Sequence, residues 1–349
     1  MYHRTYRTLA ILAVLLVLPM QAGASSIFKR IDLGTPAGTC CFAYAVNQAG
    51  QVAGGNDSPD GNQAFLWDPA GGMTELGFLP GGTRSTAHAL NDQGQVVGES
   101  VVHGGTRAFT WDRDVGMREL AMLPGGARSN AYAINNRGQV AGFSDTPQGA
   151  RAVLWDLAGG TTDLGLLPKG GYSKAYGVND RGQVVGFCST ASGTRAFLWD
   201  AASGMRDLGL LPGGTESKAY GINNFGQVVG YCATAQGDRA FVWDAAGGMT
   251  DLGILPGGSC SRALDIDDRG QVVGLARCES GNRAFVWDAA NGMRDLNTLM
   301  DEKCRKGCVF VDARAIRGTL DGGTRIVARH ATGACVFEQA GTALSMLAD

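Results

Sequence analysis

The sequence predicts an all-β protein, a seven-bladed β-propeller built from a 44-residue unit, and three observations carry that reading. All six tryptophans (Trp67, Trp111, Trp155, Trp199, Trp243 and Trp287) fall on one 44-residue step, each followed by aspartate. A Gly-Gln-Val-Ala/Val-Gly string begins at Gly50, Gly94, Gly138, Gly182, Gly226 and Gly270 on the same step. Each period holds four short strand patterns separated by turn residues. A fixed period in the forties with four strands per unit describes a propeller blade.

One unit, residues 215–258, shows the elements in order. Ala219-Tyr220-Gly221-Ile222-Asn223 alternates small and large residues, as a strand between two packed faces does. Asn223-Asn224-Phe225-Gly226 supplies a tight turn, with glycine free to take positive φ. Gln227–Tyr231 is a second strand and Arg239–Asp244 a third. After Ala245-Ala246-Gly247-Gly248, Met249–Gly253 is a fourth, and Leu255-Pro256-Gly257-Gly258 leads into the next unit.

The ends of the chain point to a closed ring. Residues 27–34 match a fourth strand yet precede any first strand. Segments around Val309–Ile316, Arg325–Ala328 and Ala334–Glu338 match the first three strands of a degenerate seventh unit occupying 301–349. Closure by the N-terminal strand is expected, with Ala343–Leu347 competing for the same slot. Sharing one blade between the termini removes the open edges that invite aggregation.

Composition bounds the function. Glycine supplies 54 of 349 residues, about twice the usual share, without the third-residue period of collagen. A hydrophobic fraction of 44% excludes a disordered chain, and a net charge of −2 gives no reason to expect nucleic-acid binding. Arg4 and Arg7, the apolar run Leu9–Leu18 and Ala22-Gly23-Ala24 read as a secretory signal peptide cleaved near Ala24. The mature chain, 25–349, is then a single exported domain, secreted or periplasmic, with no membrane span.

At this point the unit resembles the bacterial extracellular HAF-repeat proteins. The resemblance rests on Ala196-Phe197-Leu198-Trp199, Asp207-Leu208-Gly209, Pro212-Gly213-Gly214 and the hairpin Ala219–Gly230, and it covers about residues 30–296. It implies an exported propeller-like protein without an assigned activity. The family's histidine is replaced here by Gln63, Arg107, Arg151, Arg195, Arg239 and Arg283, so any role of that histidine is not carried over.

Candidate binding residues follow from blade geometry. The repeated arginines Arg107, Arg151, Arg195, Arg239 and Arg283 begin third strands. Lys174, Lys218 and Arg262 begin first strands on the same face. Together they would ring one face with cations suited to sulfate, uronate or phosphate groups. A packing role competes: across the hairpin, Arg151, Arg195 and Arg239 are expected opposite Phe143, Phe187 and Tyr231, and Arg107 opposite Glu99. The aspartates after tryptophan, with Asp92, Asp180, Asp267 and Asp268, are expected on the opposite rim.

Two residues break the repeat on strands expected to line the central channel. His88 replaces a tyrosine, and Asp265 replaces alanine or glycine. Histidine with aspartate is an acid/base combination, but they belong to the second and sixth units. No nucleophile elbow, P-loop or zinc motif is present, and no cofactor or metal is expected. Nine cysteines in an exported chain suggest disulfides. With Ile266 opposite Gln271, Cys260 and Cys278 come within one residue and form the favoured pair; Cys304 and Cys308 fall in the one irregular insertion. Cys188 and Cys232, equivalent in neighbouring blades, are not expected to pair. The expected function is a non-catalytic binding scaffold whose partner is an anionic glycan. The alternatives are a propeller enzyme (a polysaccharide lyase or hydrolase) and an envelope factor that binds protein.

Overall fold

The structure, a computed structural model, describes residues 28–31, 33, 41–58, 61–158, 160–300, 309–330 and 333–339. The signal-peptide segment, Cys304 and Cys308, and Ala343–Leu347 lie outside the described residues. Seven four-stranded antiparallel sheets are arranged as a β-propeller. The first strands of blades 1 to 7 are Cys41–Val46, Gly82–Leu90, Ser129–Ile134, Ser173–Val178, Gly214–Ile222, Gly258–Ile266 and Phe310–Gly318. Among the described residues the helical content is one 3₁₀ turn, Leu296–Leu299.

Blade 7 closes the ring as expected. Its first three strands, Phe310–Gly318, Thr324–His330 and Gly333–Gln339, are joined by the N-terminal strand Lys29–Ile31. The pairing runs Lys29 to Glu338, Arg30 to Phe337 and Ile31 to Val336. Phe28, buried beside it, donates its N–H to the Leu299 carbonyl at 3.2 Å.

The core lies between blades. Seven clusters of buried apolar side chains each join a pair of neighbouring blades, including blades 7 and 1. Strand alternation explains the repeated Ala-Phe pair. Phe197 enters the cluster shared with blade 3, while Ala196, one residue before it, faces blade 5. Phe65, Phe109, Phe197, Phe241 and Phe285 are all fully buried. Each contributes roughly 2–3 kcal/mol through burial.

Both glycines of the Gly-Gln-Val-Val-Gly string have physical roles. Gly226 takes φ +84° in the first turn, where a side chain is strained. Gly230 faces the Lys218 carbonyl, so a Cβ there would sit 1.9 Å from that oxygen. The approach is close because the first strand carries a bulge between Ala219 and Gly221. A bulge leaves one residue unpaired and re-aims its side chain, and here that residue is Tyr220.

Candidate functional site: the central channel

The bulge recurs in every first strand, at Tyr44, His88, Tyr132, Tyr176, Tyr220, Leu264 and Arg314. These residues line a cavity of about 150 Å³ at the ring axis. Five of the side chains form a continuous ladder. Ring centroids are 5.8 Å apart for Tyr44–His88, 5.4 Å for His88–Tyr132, 4.7 Å for Tyr132–Tyr176 and 5.4 Å for Tyr176–Tyr220. A second tier lies behind it, with Tyr132 stacked on Phe143, Tyr176 on Phe187 and Tyr220 on Tyr231. Burial raises the phenol pKa of Tyr132 to about 12 and lifts those of Tyr176 and Tyr220 further.

A second cavity, about 310 Å³, opens on the face of the first-strand turns. Leu90, Ile134, Val178 and Ile222 line both cavities and divide the channel with an apolar belt. The turn mouth is a hydrogen-bonded crown. Asn47, Asn91, Asn135, Asn179 and Asn223 each donate Nδ2 to the backbone carbonyl of the residue 44 positions on. Outside them, carboxylates alternate with amides: Asp92, Asn136, Asp180, Asn224, Asp268. Asn224 Nδ2 donates to Asp180 at 3.1 Å and to Asp268 at 3.0 Å, so every carboxylate is separated from the next by a donor.

The third-strand arginines are not stacked as expected. The second and third strands turn through two residues, Pro147 and Gln148 in blade 3, which shifts the register by one. Arg151 therefore faces Ser144, Arg195 and Arg239 face Cys188 and Cys232, and Arg107 faces Ser100. Four of the five meet a fourth-strand acid instead. Arg107 Nε lies 3.3 Å from Glu119, Arg195 3.7 Å from Asp207, Arg283 3.8 Å from Asp295 and Arg151 4.0 Å from Asp163. Arg107, Arg151 and Arg195 also donate to a carbonyl of the next blade. Arg239 keeps a buried Nη1 without a partner. The guanidiniums of Arg107, Arg151 and Arg195 are joints between blades.

The rings behind the ladder are taken by the first-strand cations. Lys174 Nζ stands 4.0 Å over Phe143, Lys218 Nζ 4.7 Å over Phe187, and Arg262 4.5 Å over Tyr231. Burial lowers the Lys174 pKa. Arg262 also pairs with Asp238 at 2.5 Å. Each cation precedes a channel residue by two positions on the same strand.

His88 and Asp265 both line the smaller cavity but have separate partners. Asp265 accepts from the Ile316 N–H at 2.9 Å and from Arg317 at 2.8 Å. His88 faces Glu99 across 4.0 Å. Asp265 thus serves the junction with the degenerate blade, where Arg317 occupies the place of the crown asparagine. The aspartates after tryptophan accept from their own turns, as Asp68 does from Ala70 and Gly71. Cys260 lies opposite Arg277 and Cys278 opposite Gly258, with a bulge at Ser259. Alternation along the strand carries the two thiols to opposite faces, and they stand free of a disulfide. Cys188 and Cys232 are buried at different blade junctions.

Comparison with solved structures follows the fold. Virginiamycin B lyase from Staphylococcus aureus is similar at 10% identity and a TM-score of 0.56, over 89% of this chain and 98% of that one. Its catalytically inactive variant with quinupristin gives 11% identity and the same TM-score, over 89% and 98%. TolB from Acinetobacter baumannii gives 12% identity and a TM-score of 0.45, over 83% and 81%. No protein-family model and no curated protein matches the chain. At these identities the likeness shows the propeller fold alone. Among the described residues no helix is long and apolar enough to cross a membrane, and no group of three or more His, Cys, Asp or Glu is placed to hold a metal.

Several functional positions carried a signal that motif reading passes over. Ser85, Ser129, Ser173, Ser217 and Ser261 also recur every 44 residues. Each is buried and accepts the N–H of an alanine in the preceding blade, 2.9 Å for Ser173 and Ala152. The crown asparagines were visible only as turn formers.

Proposed function

We propose that the protein is an exported, non-catalytic binding scaffold of the HAF-repeat group whose ladder side of the channel takes an anionic polysaccharide. One observation carries the reading: the unbroken arc Tyr132, Tyr176, Tyr220, with Lys174, Lys218 and Arg262 over the rings stacked behind it. Aromatic faces suit the apolar faces of sugar rings, and the cations suit their carboxylate or sulfate groups. The separate partners of His88 and Asp265 weigh against an acid/base pair and so against the lyase or hydrolase reading.

The test is binding of the purified chain from residue 25 to an array of neutral and anionic glycans at low and high salt. Binding to uronate or sulfated glycans that weakens with salt, and falls with Lys174→Ala and Lys218→Ala, supports the scaffold. A blank array from folded protein overturns it in favour of a protein partner. Turnover of a bound glycan restores the enzyme reading.

A further inference from the structure

Three departures from the repeat meet at one point of the channel wall. His88 stands where four other first strands carry tyrosine. Glu99, on the second strand of blade 2, stands where blades 3 to 5 carry Phe143, Phe187 and Tyr231. Asn130, on the first strand of blade 3, stands where the following blades carry Lys174, Lys218 and Arg262. In the regular blades these positions form one packed set. Tyr176 stacks on Phe187 at 5.8 Å, and Lys218 of the next blade covers the same ring. Blade 2 and its neighbour replace all three members at once, turning ring, ring and cation into imidazole, carboxylate and amide.

The replacement is hydrogen-bonding and incomplete. Asn130 Nδ2 donates to Glu99 Oε2. Asn130 is only 5% exposed, yet its Oδ1 is enclosed without a partner. His88 Nε2 is likewise enclosed without a partner, 4.0 Å from Glu99 Oε1. That separation is too long for a hydrogen bond. Enclosed polar atoms left unpaired cost free energy, and both side chains that flank the Glu99 carboxylate carry one, which marks this part of the wall as polar without full internal pairing. Burial draws the His88 pKa down to about 4, so the imidazole is neutral at neutral pH and free to donate or accept.

We propose that His88, Glu99 and Asn130 form a subsite for the hydroxyl groups of an acidic sugar whose carboxylate is held by Lys174 and Lys218 farther along the ladder. Glu99, whose side chain is 27% exposed, offers its carboxylate as an acceptor that matches hydroxyl donors and rejects a bare anion, with Asn130 holding it in place. Tyr132 lies between the two regions, 5.4 Å from the His88 ring and 4.7 Å from Tyr176, and supplies the stacking face. The inference deepens the scaffold reading and rests on it.

The experiment measures calorimetric binding of trigalacturonate and of inorganic polyphosphate to the chain from residue 25. It compares wild type with the triple variant His88→Tyr, Glu99→Phe, Asn130→Lys, which installs the residues of the regular blades. The triple variant loses one negative charge and gains one positive charge, so electrostatics alone would tighten both ligands. Loss of the Glu99 acceptor and its support predicts trigalacturonate binding weaker by about tenfold or more, with polyphosphate unchanged or tighter. Trigalacturonate bound as tightly as by wild type overturns the subsite and leaves the scaffold standing. Binding of neither ligand by wild type overturns both. If the triple variant does not fold, the isosteric Glu99→Gln decides: several-fold weaker trigalacturonate binding supports the subsite, and unchanged binding overturns it.

Discussion

Asn135 donates its side-chain amide to the backbone carbonyl of Asn179, 2.8 Å away and 44 residues on in the chain. The same Asn135 holds its own turn, accepting from the N–H of Gln139 at 2.9 Å and donating to the Gln139 side chain at 2.9 Å. One buried amide therefore shapes a hairpin and ties it to the next blade. Repetition of the donor in blades 1 to 5 makes a belt of hydrogen bonds that runs to blade 6 around the channel. Blade 6 breaks the pattern: the Asp267 side chain has no N–H to give, and Arg269 reaches across instead to the carbonyls of Gly322 and Gly323 at 2.7 Å each.

Replacing Asn179 with alanine removes both functions from a residue that is 3% exposed. The expected loss is about 1–3 kcal/mol, because the Asn223 carbonyl and the Gln183 groups that the side chain serves lose their partner. Urea unfolding checks this. Asn179→Asp, which keeps the acceptor and loses the donor, is expected to fall between alanine and wild type.

Arg195 separates architecture from recognition. Its guanidinium meets Asp207 and donates to the Thr215 carbonyl at 3.1 Å, and its side chain is 17% exposed. Arg195→Ala is expected to lower stability by about 1 kcal/mol while glycan affinity stays within about twofold. Lys218→Ala is expected to do the reverse. A drop in affinity for Arg195→Ala larger than that for Lys218→Ala would return the third-strand arginines to the binding face.

The fold was legible in the sequence because a 44-residue step repeats apolar, turn and strand positions together, and blade 7 kept enough of the pattern at both termini to be recognised. The site was less legible. The two-residue turn at Pro147–Gln148 moves Arg151 from Phe143 to Ser144, and one position is enough to exchange stacking for an ion pair. The bulge at Tyr176 is equally silent, since alternation alone places every second residue on the same face. The lysine that covers Phe187 comes from another blade, 31 residues on, where no local pattern points to it.

His88 gives the native protein an acid sensitivity with a definite sign. In the unfolded chain a histidine takes up its proton as pH falls through about 6.5; in the native channel burial delays this to about 4. Between those values the unfolded state binds more protons, so stability falls with acid, by at most about 3 kcal/mol. Glu99, whose pKa burial raises, acts with the opposite sign. Tyr44 and Tyr132 beside the imidazole have pKa values raised further above this window. His88→Tyr isolates the histidine. Between pH 7 and pH 4.5 the variant is expected to gain about 1–3 kcal/mol relative to wild type in denaturant unfolding. Parallel pH profiles would show that His88 is protonated normally in the fold.

Ring closure rests on the short strand Lys29–Ile31, and its removal has a consequence that differs from ordinary destabilisation. Ile31 pairs with Val336 and packs on the cluster that joins blades 7 and 1. Without it the strand Gly333–Gln339 becomes a free edge carrying unpaired N–H and C=O groups, next to the fully buried Phe337. A chain beginning at residue 33 therefore exposes both an apolar ring and a pairing template, the combination that promotes association between copies. Such a chain is expected to elute as oligomers or precipitate at concentrations where the chain from residue 25 is monomeric by light scattering. Ile31→Pro, which fixes φ and removes one ladder N–H while leaving the length intact, is expected to shift the same balance less far. A monomeric truncated chain with an unchanged unfolding midpoint would show that the ring closes by another segment.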